Sequence, residues 1–462
     1  MRTQYQEPLL NAFRRAAQMP WYQTLLDECG VGPAQVVDAA SFSILCPVLT
    51  KQNTFDRFPM DQLAGSTHVS DVATVLTSSG HGGRFSYGLT TRSQAAKSGG
   101  FIDQAFDSAF GVKSQSTLAI NCLPMGVGFS SECMTVATVS VREDMAVALV
   151  KAFGSQYGQI LLVSDPLFIK KLAEYAAEQD VDWTRYRVQV VLGEEIFGEH
   201  FRDYIATSLG LDMGLPNHGQ IISSFGVGEL GLHLGYETAA TLALRRAAWK
   251  NPDLALDMLG VDHAGKALPM VLAFNPSRTF MEIVEPDSSG FGRLTVSMLD
   301  TELPVPLLRY QTGDVARLLD PKSVAGILRR HGAAVAADLP SGLIALQGRG
   351  KEALPNGSHV GVYKDALYAD HAVAKELSGA FRVIANGNRC VMHVQLSPSR
   401  AATDSIEQRL LQAIPEPARP ETIVLWAYHK FPFGMSVDYE RKFPYYVAGE
   451  QSLPAAAEGP QS

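Results

Sequence analysis

Short β-rich runs alternate with helical patterns along the middle of the chain, and this alternation constrains the fold more than any other feature of the sequence. The candidate strands cover residues 117–121, 160–163, 188–192 and 221–225. The segments between them have helical periodicity and cover residues 144–153, 166–178 and 197–209. Strands and helices that alternate in this way predict a sheet with parallel strands and helical covers.

The pattern changes towards the C-terminus. Adjacent strands are predicted at 280–284 and 292–298, and a hairpin at Asn386-Gly387 joins the predicted strands 381–384 and 390–396. Helices are predicted at 364–377 and 405–413. The fold class is therefore α/β, with a large N-terminal domain of mixed sheets and helices and a small α+β C-terminal domain. The predicted bounds are 1–347 and 348–452, followed by a disordered tail at 453–462.

Length and charge narrow the class of protein further. With 462 residues, the chain exceeds the roughly 100–200 residues of one ordinary domain. A net charge of −8 argues against binding to nucleic acid or to anionic membranes. The five cysteines lack C-x-x-C spacing, so neither a disulfide framework nor a zinc site is indicated. We find no signal peptide and no apolar run long enough to cross a bilayer, and the expected location is the cytoplasm.

The sharpest local motif is Thr77-Ser78-Ser79-Gly80-His81-Gly82-Gly83-Arg84, directly after the β-like run 72–76. Small residues let backbone N–H groups approach an anion, hydroxyl groups add hydrogen bonds, and Arg84 supplies a positive charge. This segment is typical of a loop that binds phosphate. By itself it is equally compatible with a surface turn that carries a basic residue.

Two further motifs follow predicted strands, Phe225-Gly226-Val227-Gly228-Glu229 and Arg309-Tyr310-Gln311-Thr312-Gly313-Asp314. With all three motifs in this order, the sequence resembles the adenylate-forming (acyl-CoA synthetase) superfamily, most closely its phenylacetate-coenzyme A ligase branch. Shorter segments extend the resemblance from about Trp21 to Lys442; they lie at 20–22, 47–52, 193–195, 281–286, 348–352 and 365–373.

The resemblance implies a role for each matching residue. Arg84, Glu229 and Lys442 would be catalytic, with Glu229 as the magnesium ligand and Lys351 at the hinge of a mobile C-terminal domain. The implied nucleotide-binding residues are Thr77, Ser78, Ser79, Gly80, His81, Gly82, Gly83, Gly193, Glu194, Glu195, Ser224, Phe225, Gly226, Asp314 and Arg349. The implied acid-binding residues are Met125, Gly126, Gly128, Phe129, His218, Ile222 and Gly228.

Each role has a structural alternative. Phe225 and the residues of the acid pocket are equally compatible with core packing, Arg349 with a solvated side chain, and Glu229 with an exposed helix start. His218 and His233 are possible polar contacts in the pocket. The family's Gly-Lys pair is missing near the C-terminus, which leaves Lys442 with Lys430 and Arg441 as rivals.

By resemblance, the chain activates a carboxylic acid with magnesium and ATP, forms an acyl-adenylate and pyrophosphate, and transfers the acyl group to a thiol. The thiol would belong to coenzyme A or to the phosphopantetheine of an acyl carrier protein, an aromatic acid is favoured, and a homodimer is possible. His81, Gly82 and Gly228 depart from the family pattern. The alternatives are therefore an adenylating enzyme with another nucleophile, such as an amine, or an unusual oxyanion, and a catalytically weakened nucleotide-binding homologue.

Overall fold

The computed structural model describes residues 6–78, 85–124, 126–213, 219–262, 266–333, 339–387, 389–434 and 443–448. The helices are α1 Gln6–Ala16, α2 Pro20–Glu28, α3 Ala39–Leu45, α4 Met60–Ala64, α5 Arg92–Phe110, α6 Glu143–Phe153, α7 Pro166–Glu178, α8 Glu199–Ser208, α9 Ala239–Lys250, α10 Pro252–Leu259, α11 Pro321–Arg330, α12 Val360–Ala366, α13 His371–Ala374 and α14 Asp404–Ala413.

The strands are β1 Val72–Thr77, β2 Tyr87–Thr91, β3 Thr117–Asn121, β4 Thr135–Thr138, β5 Gln159–Ser164, β6 Val188–Leu192, β7 Ile221–Val227, β8 Gly231–Tyr236, β9 Met270–Phe274, β10 Thr279–Val284, β11 Gly292–Met298, β12 Tyr310–Leu319, β13 Gly342–Arg349, β14 Leu377–Asn386, β15 Arg389–Leu396, β16 Thr422–Trp426 and β17 Tyr446–Ala448.

One large mixed sheet organises the N-terminal part of the chain. Its strand order within the described residues is β10-β11-β12-β13-β9-β8-β7-β6-β5-β3-β4. The strands from β4 to β7 are parallel, and the pairings from β7 onward are antiparallel. The predicted parallel strands are confirmed. Every residue of β5 and β6 is buried, as expected for strands that are covered on both faces.

Local sequence signals explain where the covering helices begin. Asp165 precedes α7, and its Oδ1 accepts hydrogen bonds from the N–H groups of Leu167 and Phe168 at 2.9 and 3.0 Å. Pro166 occupies the first turn, where no backbone donor is needed. The predicted helix start is therefore confirmed. The apolar face of α7 joins the main core through Phe168, Ile169 and Leu172.

The C-terminal part forms its own four-stranded sheet, in the order β16-β15-β14-β17. The predicted hairpin is confirmed, because β14 and β15 pair antiparallel around Asn386-Gly387. The predicted helix at 364–377 is wrong. The segment instead forms the short helices α12 and α13, because Asp370 caps a new helix start at the N–H of Ala372, and Leu377 already begins a strand.

Strand β13 belongs to the large sheet and ends at Arg349, near the predicted domain boundary at 347/348. Among the described residues, no helix combines the length and the apolar character that a membrane span requires. The predicted tail at 453–462 lies outside the described residues.

Candidate nucleotide and acid site

The carboxyl ends of the parallel strands bring two of the predicted nucleotide-binding segments together. Gly193 follows β6, and its N–H donates to the carbonyl oxygen of Ser164, at the end of β5, over 2.8 Å. A Cβ atom added to Gly193 would lie 3.8 Å from the carbonyl oxygen of Ser224 in β7. Strand β7 is also where the sheet changes from parallel to antiparallel pairing. In open α/β sheets, such a switch point at the carboxyl ends is the usual place for a ligand.

Close backbone packing joins the first motif to the second. A Cβ atom on Gly228 would lie 3.2 Å from the carbonyl oxygen of Thr77, and one on Gly88 would lie only 2.1 Å from the carbonyl oxygen of Gly228. The strands β1 and β2 therefore pack directly on the turn after β7. This packing gives a physical reason for Gly228, where the family pattern has threonine, because a side chain there would crowd Thr77.

Of the predicted phosphate-binding motif, only Thr77 and Ser78 belong to the described residues. Thr77 is exposed and Ser78 is half-buried. The Ser78 N–H donates to the carbonyl oxygen of Ser86 over 3.0 Å, and the Ser78 hydroxyl accepts the N–H of Ser86 at the same distance. The predicted residues Ser79, Gly80, His81, Gly82, Gly83 and Arg84 lie outside the described residues.

A hydrogen bond joins the second motif to the third. The hydroxyl of Tyr310, at the start of β12, donates to Oε1 of Glu229 over 2.7 Å. Burial, and then the charge of Glu229, raise the pKa of Tyr310, so the phenol stays protonated and remains a donor. Residues 47–52, which also resemble the family, contact the start of β12. The Leu49 N–H donates to the carbonyl oxygen of Arg309 over 3.0 Å, and the carbonyl oxygen of Leu49 accepts the N–H of Gln311 over 2.8 Å.

The second carboxylate oxygen of Glu229 is the most informative atom of the site. Oε2 is buried and has no hydrogen-bond partner among the described residues. A buried carboxylate oxygen normally has a partner, and a bound cation is one explanation for such an exception. The described residues contain no cluster of three or more metal-ligating side chains. Magnesium suits a single carboxylate, because it usually takes its remaining ligands from phosphates and water. The residues present therefore fit a magnesium ion that is carried by ATP.

The third motif ends in a paired carboxylate. Asp314 in β12 lies opposite Arg349 in β13, and Nε of Arg349 is 3.3 Å from Oδ1 of Asp314. Nη1 of Arg349 donates to the carbonyl oxygen of Thr312 over 2.7 Å. Gly313 has φ +83°, which favours glycine, and a Cβ atom there would crowd the arginine. Arg349 thus orients the Thr312–Asp314 turn, and its side chain is still about one-third exposed.

Comparison with solved structures identifies the fold. The chain superposes on 2-hydroxyisobutyryl-CoA ligase in its postadenylation state with R3-HIB-AMP, with a TM-score of 0.68, 13% identity, and coverage of 97% of this chain and 89% of that chain. The chain has the fold of this CoA ligase. The same ligase in its thioesterification state, with 2-HIB-AMP and CoA, gives a TM-score of 0.53 at 14% identity, with coverage of 96% and 88%. No protein-family model and no curated protein matches the sequence.

The predicted acid-binding residues have mixed surroundings in this fold. Gly126 and Gly128 are exposed, and a Cβ atom on either would meet no described residue within 4 Å. Phe129 is half-buried and packs edge-on against Phe106, with ring centroids 5.9 Å apart. Ile222 is 2% exposed and belongs to a hydrophobic cluster that also contains Phe106. Met125 and His218 lie outside the described residues.

His233 lies between the second motif and this hydrophobic cluster. Its Nδ1 is 3.1 Å from the hydroxyl of Ser224, and its ring packs edge-on against Phe106 at 5.4 Å. Burial, with a smaller effect from Arg278, lowers the pKa of His233 to about 4. The imidazole is therefore neutral near pH 7. Its backbone has φ +60°, a conformation that non-glycine residues adopt rarely.

The remaining predicted residues lie after β13, after β6, at the end of β7 or outside the described residues. Lys351 is exposed in the turn directly after β13, a place compatible with a hinge. The carboxylate of Glu195 forms an ion pair with Lys364, 2.8 Å away. Lys442 and Arg441 lie outside the described residues, and Lys430 is exposed. Phe225 is half-buried and Gly226 is exposed at the end of β7.

The sequence reasoning missed Tyr310 and Lys364 as site residues. Tyr310 stands within the quoted third motif, but nothing in the sequence shows that its hydroxyl reaches Glu229, 81 positions earlier. Lys364 is the first residue of the helix that was predicted at 364–377, and no site role was assigned to it. A lysine at one end of an otherwise apolar helical stretch is a weak signal, because most lysines are solvated.

Proposed function

We propose that this protein is an ATP-dependent acid–thiol ligase that forms an acyl-adenylate. The observation that carries the proposal is the geometry around Glu229: its Oε2 is buried without a hydrogen-bond partner among the described residues, and the residue lies between the first and third motifs. The three motifs that the sequence separates by more than 200 residues are linked by direct contacts. A shared site for one nucleotide explains why they are linked.

The chemistry follows from these groups. A carboxylate oxygen of the acid attacks the α-phosphorus of ATP, the bond to the β-phosphate oxygen breaks, and pyrophosphate leaves with both bonding electrons. Glu229 would hold magnesium, which would offset charge on the phosphates. Tyr310 fixes the direction of the Glu229 carboxylate. Thr77, Ser78 and the loop at 79–84, with Arg84, are proposed to bind the departing phosphates.

The rest of the nucleotide is assigned by position. The segments Gly193–Glu195 and Ser224–Gly226, at the carboxyl ends of adjacent parallel strands, are proposed to border the adenine. Asp314 is proposed to accept hydrogen bonds from the ribose hydroxyl groups, because a carboxylate can accept two such bonds at once. Arg349 would position this turn and contact ribose or phosphate through its exposed edge. Lys442 remains the proposed catalytic lysine of the C-terminal part.

The acid is proposed to be flat and aromatic, as in the phenylacetate-coenzyme A ligase branch. Support comes from the aromatic contact of Phe129 with Phe106 and from the neutral His233, whose Nδ1 lies 3.1 Å from the Ser224 hydroxyl. Among the described residues, Gly126 and Gly128 have open space where a Cβ atom would lie. The acceptor is proposed to be coenzyme A or a carrier-bound phosphopantetheine, and the protein is proposed to form a homodimer.

The two TM-scores for one ligase support a proposal about the arrangement of the parts. Coverage of this chain is nearly equal, at 97% and 96%, yet the score is 0.68 for the postadenylation state and 0.53 for the thioesterification state. We propose that this arrangement is the one that serves adenylation, and that the C-terminal part is displaced for thiol transfer.

The test is exchange of labelled pyrophosphate into ATP across a panel of aromatic and aliphatic acids. We expect exchange with an aromatic acid, thioester formation when coenzyme A is added, and loss of most exchange in Glu229→Gln. Glu28→Gln, which changes an exposed glutamate that pairs with Arg57 and belongs to none of the three motifs, is the control and should keep full activity.

Each contrary result has a defined meaning. Exchange without any thioester would favour another nucleophile, such as an amine, or an unusual oxyanion. ATP binding with no exchange across the whole panel would favour a nucleotide-binding homologue without catalysis. Full exchange in Glu229→Gln would show that magnesium is held elsewhere.

A further inference from the structure

Two neighbouring residues of α12 attach the C-terminal part to the large sheet. Lys364 and Asp365 are adjacent in sequence, and both contact the segment that follows β6. Nζ of Lys364 lies 2.8 Å from Oε2 of Glu195. Oδ1 of Asp365 accepts the N–H of His200 over 2.9 Å, and Oδ2 of Asp365 lies 2.9 Å from Nδ1 of the same histidine.

Asp365 supplies a helix cap from the other part of the chain. The first N–H groups of a helix have no partner within the helix, and a side chain just before the helix usually accepts them. At α8 that position is Gly198, which has no side chain, and no side-chain cap bond is made there. Instead, Asp365 accepts the N–H groups of His200 and Phe201. A negative charge at a helix N-terminus is also favoured by the helix dipole.

The space at Gly198 matches this cap. A Cβ atom on Gly198 would lie 1.9 Å from Oδ1 of Asp365 and 2.0 Å from its carboxyl carbon. Any side chain at position 198 would therefore displace the aspartate from the helix end. Glycine at this position lets a carboxylate from α12 enter where a local cap would otherwise stand.

The ion pair beside the cap is shielded from solvent. The side chain of Lys364 is 11% exposed and that of Glu195 is 18% exposed. Nζ of Lys364 also lies 4.1 Å from the ring centroid of Tyr445, which precedes β17. A buried pair is costly to break when one partner is left without its counter-charge. An arrangement in which α12 leaves α8 would expose both the uncapped helix end and Glu195.

The contact also reaches the proposed nucleotide site. Glu195 is two residues after Gly193, which packs beside Ser224. Between them, Glu194 has φ +67°, a conformation that costs a non-glycine residue energy and needs support from its surroundings. The Glu195–Lys364 pair fixes the far side of this strained turn.

We propose that Lys364 and Asp365 are positioning residues that couple docking of the C-terminal part to the shape of the nucleotide-facing turn Gly193–Glu195. When the C-terminal part docks, Asp365 caps α8 and Lys364 pairs with the charge of Glu195. The turn Gly193–Glu195 is thereby held in the form that serves adenylation. The coupling to adenylation rests on the proposed function, whereas the docking contact itself does not.

Hydrogen–deuterium exchange of the full-length protein tests the docking contact without any assay of activity. We expect Asp365→Ala to speed exchange at the His200 and Phe201 amides about fivefold, as loss of a helix cap predicts. Gly198→Ala should do the same, because its methyl group takes the place of the carboxylate. Asp365→Asn keeps an acceptor and should restore most of the protection.

The matched control is Asp320→Ala, which removes the local cap of α11, where Oδ2 of Asp320 accepts the Ser323 N–H over 2.9 Å. It should speed exchange in α11 and leave α8 unchanged. Equal exchange at His200 and Phe201 in wild type, Asp365→Ala and Gly198→Ala would overturn the docking contact.

The coupling is tested by comparing the two half-reactions in Lys364→Met. We expect the KM for ATP in pyrophosphate exchange to rise about fivefold, while thioester formation from supplied acyl-adenylate slows by less than twofold. Lys322→Met, an exposed lysine on α11, is the control. An equal effect on both half-reactions would overturn the coupling. If wild type shows no exchange with any acid, the proposed function fails, and the amide measurement still decides the docking contact.

Discussion

At the scale of single residues, the hydroxyl of Tyr310 decides where the Glu229 carboxylate points. Tyr310→Phe removes the 2.7 Å hydrogen bond and keeps the ring, which is 2% exposed. Hydrogen bonds to charged groups contribute about 1.5–3 kcal/mol, so we expect pyrophosphate exchange to fall about tenfold. The magnesium concentration for half-maximal rate should rise, because the carboxylate loses its fixed direction.

Tyr204→Phe is the matched control for this prediction. It removes another tyrosine hydroxyl that donates to a glutamate, Glu174, over 3.3 Å and away from the three motifs. We expect no change in its magnesium dependence. If Tyr310→Phe keeps the wild-type magnesium requirement, Tyr310 does not position a metal ligand.

A second prediction at this scale concerns Asp165, because one of its carboxylate oxygens accepts hydrogen bonds and the other has no partner among the described residues. Oδ1 caps α7, whereas Oδ2 is buried without a hydrogen-bond partner among the described residues. The pKa of Asp165 is raised to about 7, mainly by burial and to a smaller extent by the charges of Glu195 and Glu194, whereas the cap hydrogen bonds oppose this shift. In the unfolded chain the pKa is about 3.9.

The sign of the effect follows from these two values. Between about pH 4 and 7 the folded protein holds a proton that the unfolded chain has lost, so this residue lowers the free energy of unfolding as the pH rises through that window. Asp165→Asn keeps the cap and removes the titration. At pH 8 we expect the variant to be more stable by about 1–3 kcal/mol, with little difference at pH 4.5, measured by urea unfolding across that range.

The capping Asp320 of α11 provides the control for this measurement. Its hydrogen bonds with Ser323 lower the pKa of Asp320, so its contribution is complete above about pH 4 and is lost only in more acid solution. Asp320→Asn should therefore give no pH-dependent difference between pH 5 and 8. Equal pH profiles for wild type and Asp165→Asn would show that Asp165 is ionised in the folded protein.

At the scale of elements, the contact of β2 with the turn after β7 is the tightest backbone packing at the site. Gly88→Ala would place a methyl group 2.1 Å from the carbonyl oxygen of Gly228, and neither backbone can give way without moving a motif. We expect a loss of about 1–3 kcal/mol in stability and a marked loss of pyrophosphate exchange.

A glycine in open space gives the opposite expectation. Gly100 lies inside α5, and a Cβ atom there would meet no described atom within 4 Å. Gly100→Ala should raise stability by up to about 1 kcal/mol, because alanine has the higher helix propensity. If Gly88→Ala and Gly100→Ala change the temperature of thermal unfolding equally, the backbone of β2 does not pack closely on Gly228.

The elements also show what the sequence can predict. The buried strands β3 and β6 and the helix α7 were predicted at their observed bounds, because short β-rich runs and the Ser164-Asp165-Pro166 helix start are strong local signals. The single helix predicted at 364–377 was wrong. Its apolar spacing continues across Ala369 and Asp370, and only the capping geometry at Asp370 shows the break.

At the scale of the whole molecule, the site is built from contacts between distant segments. The sequence predicted that the segments around Ser79, Glu229 and Asp314 belong together, because their order resembles that of a known superfamily; Ser79 itself lies outside the described residues. It could not predict the contacts that join them, such as Tyr310 with Glu229 or Asp365 with α8, since each depends on strand register and helix docking. The Gly228 departure also became explicable only when the packing of β1 and β2 was known.

The central claim is that these three segments form one site for a single ATP molecule. Its most direct test is a crystal structure of the full-length protein with ATP and magnesium. We predict one nucleotide with its base beside Gly193 and Ser224, its ribose hydroxyl groups at Asp314, and a magnesium ion on Oε2 of Glu229. A nucleotide bound elsewhere, or one that contacts only one of the three segments, would contradict the claim.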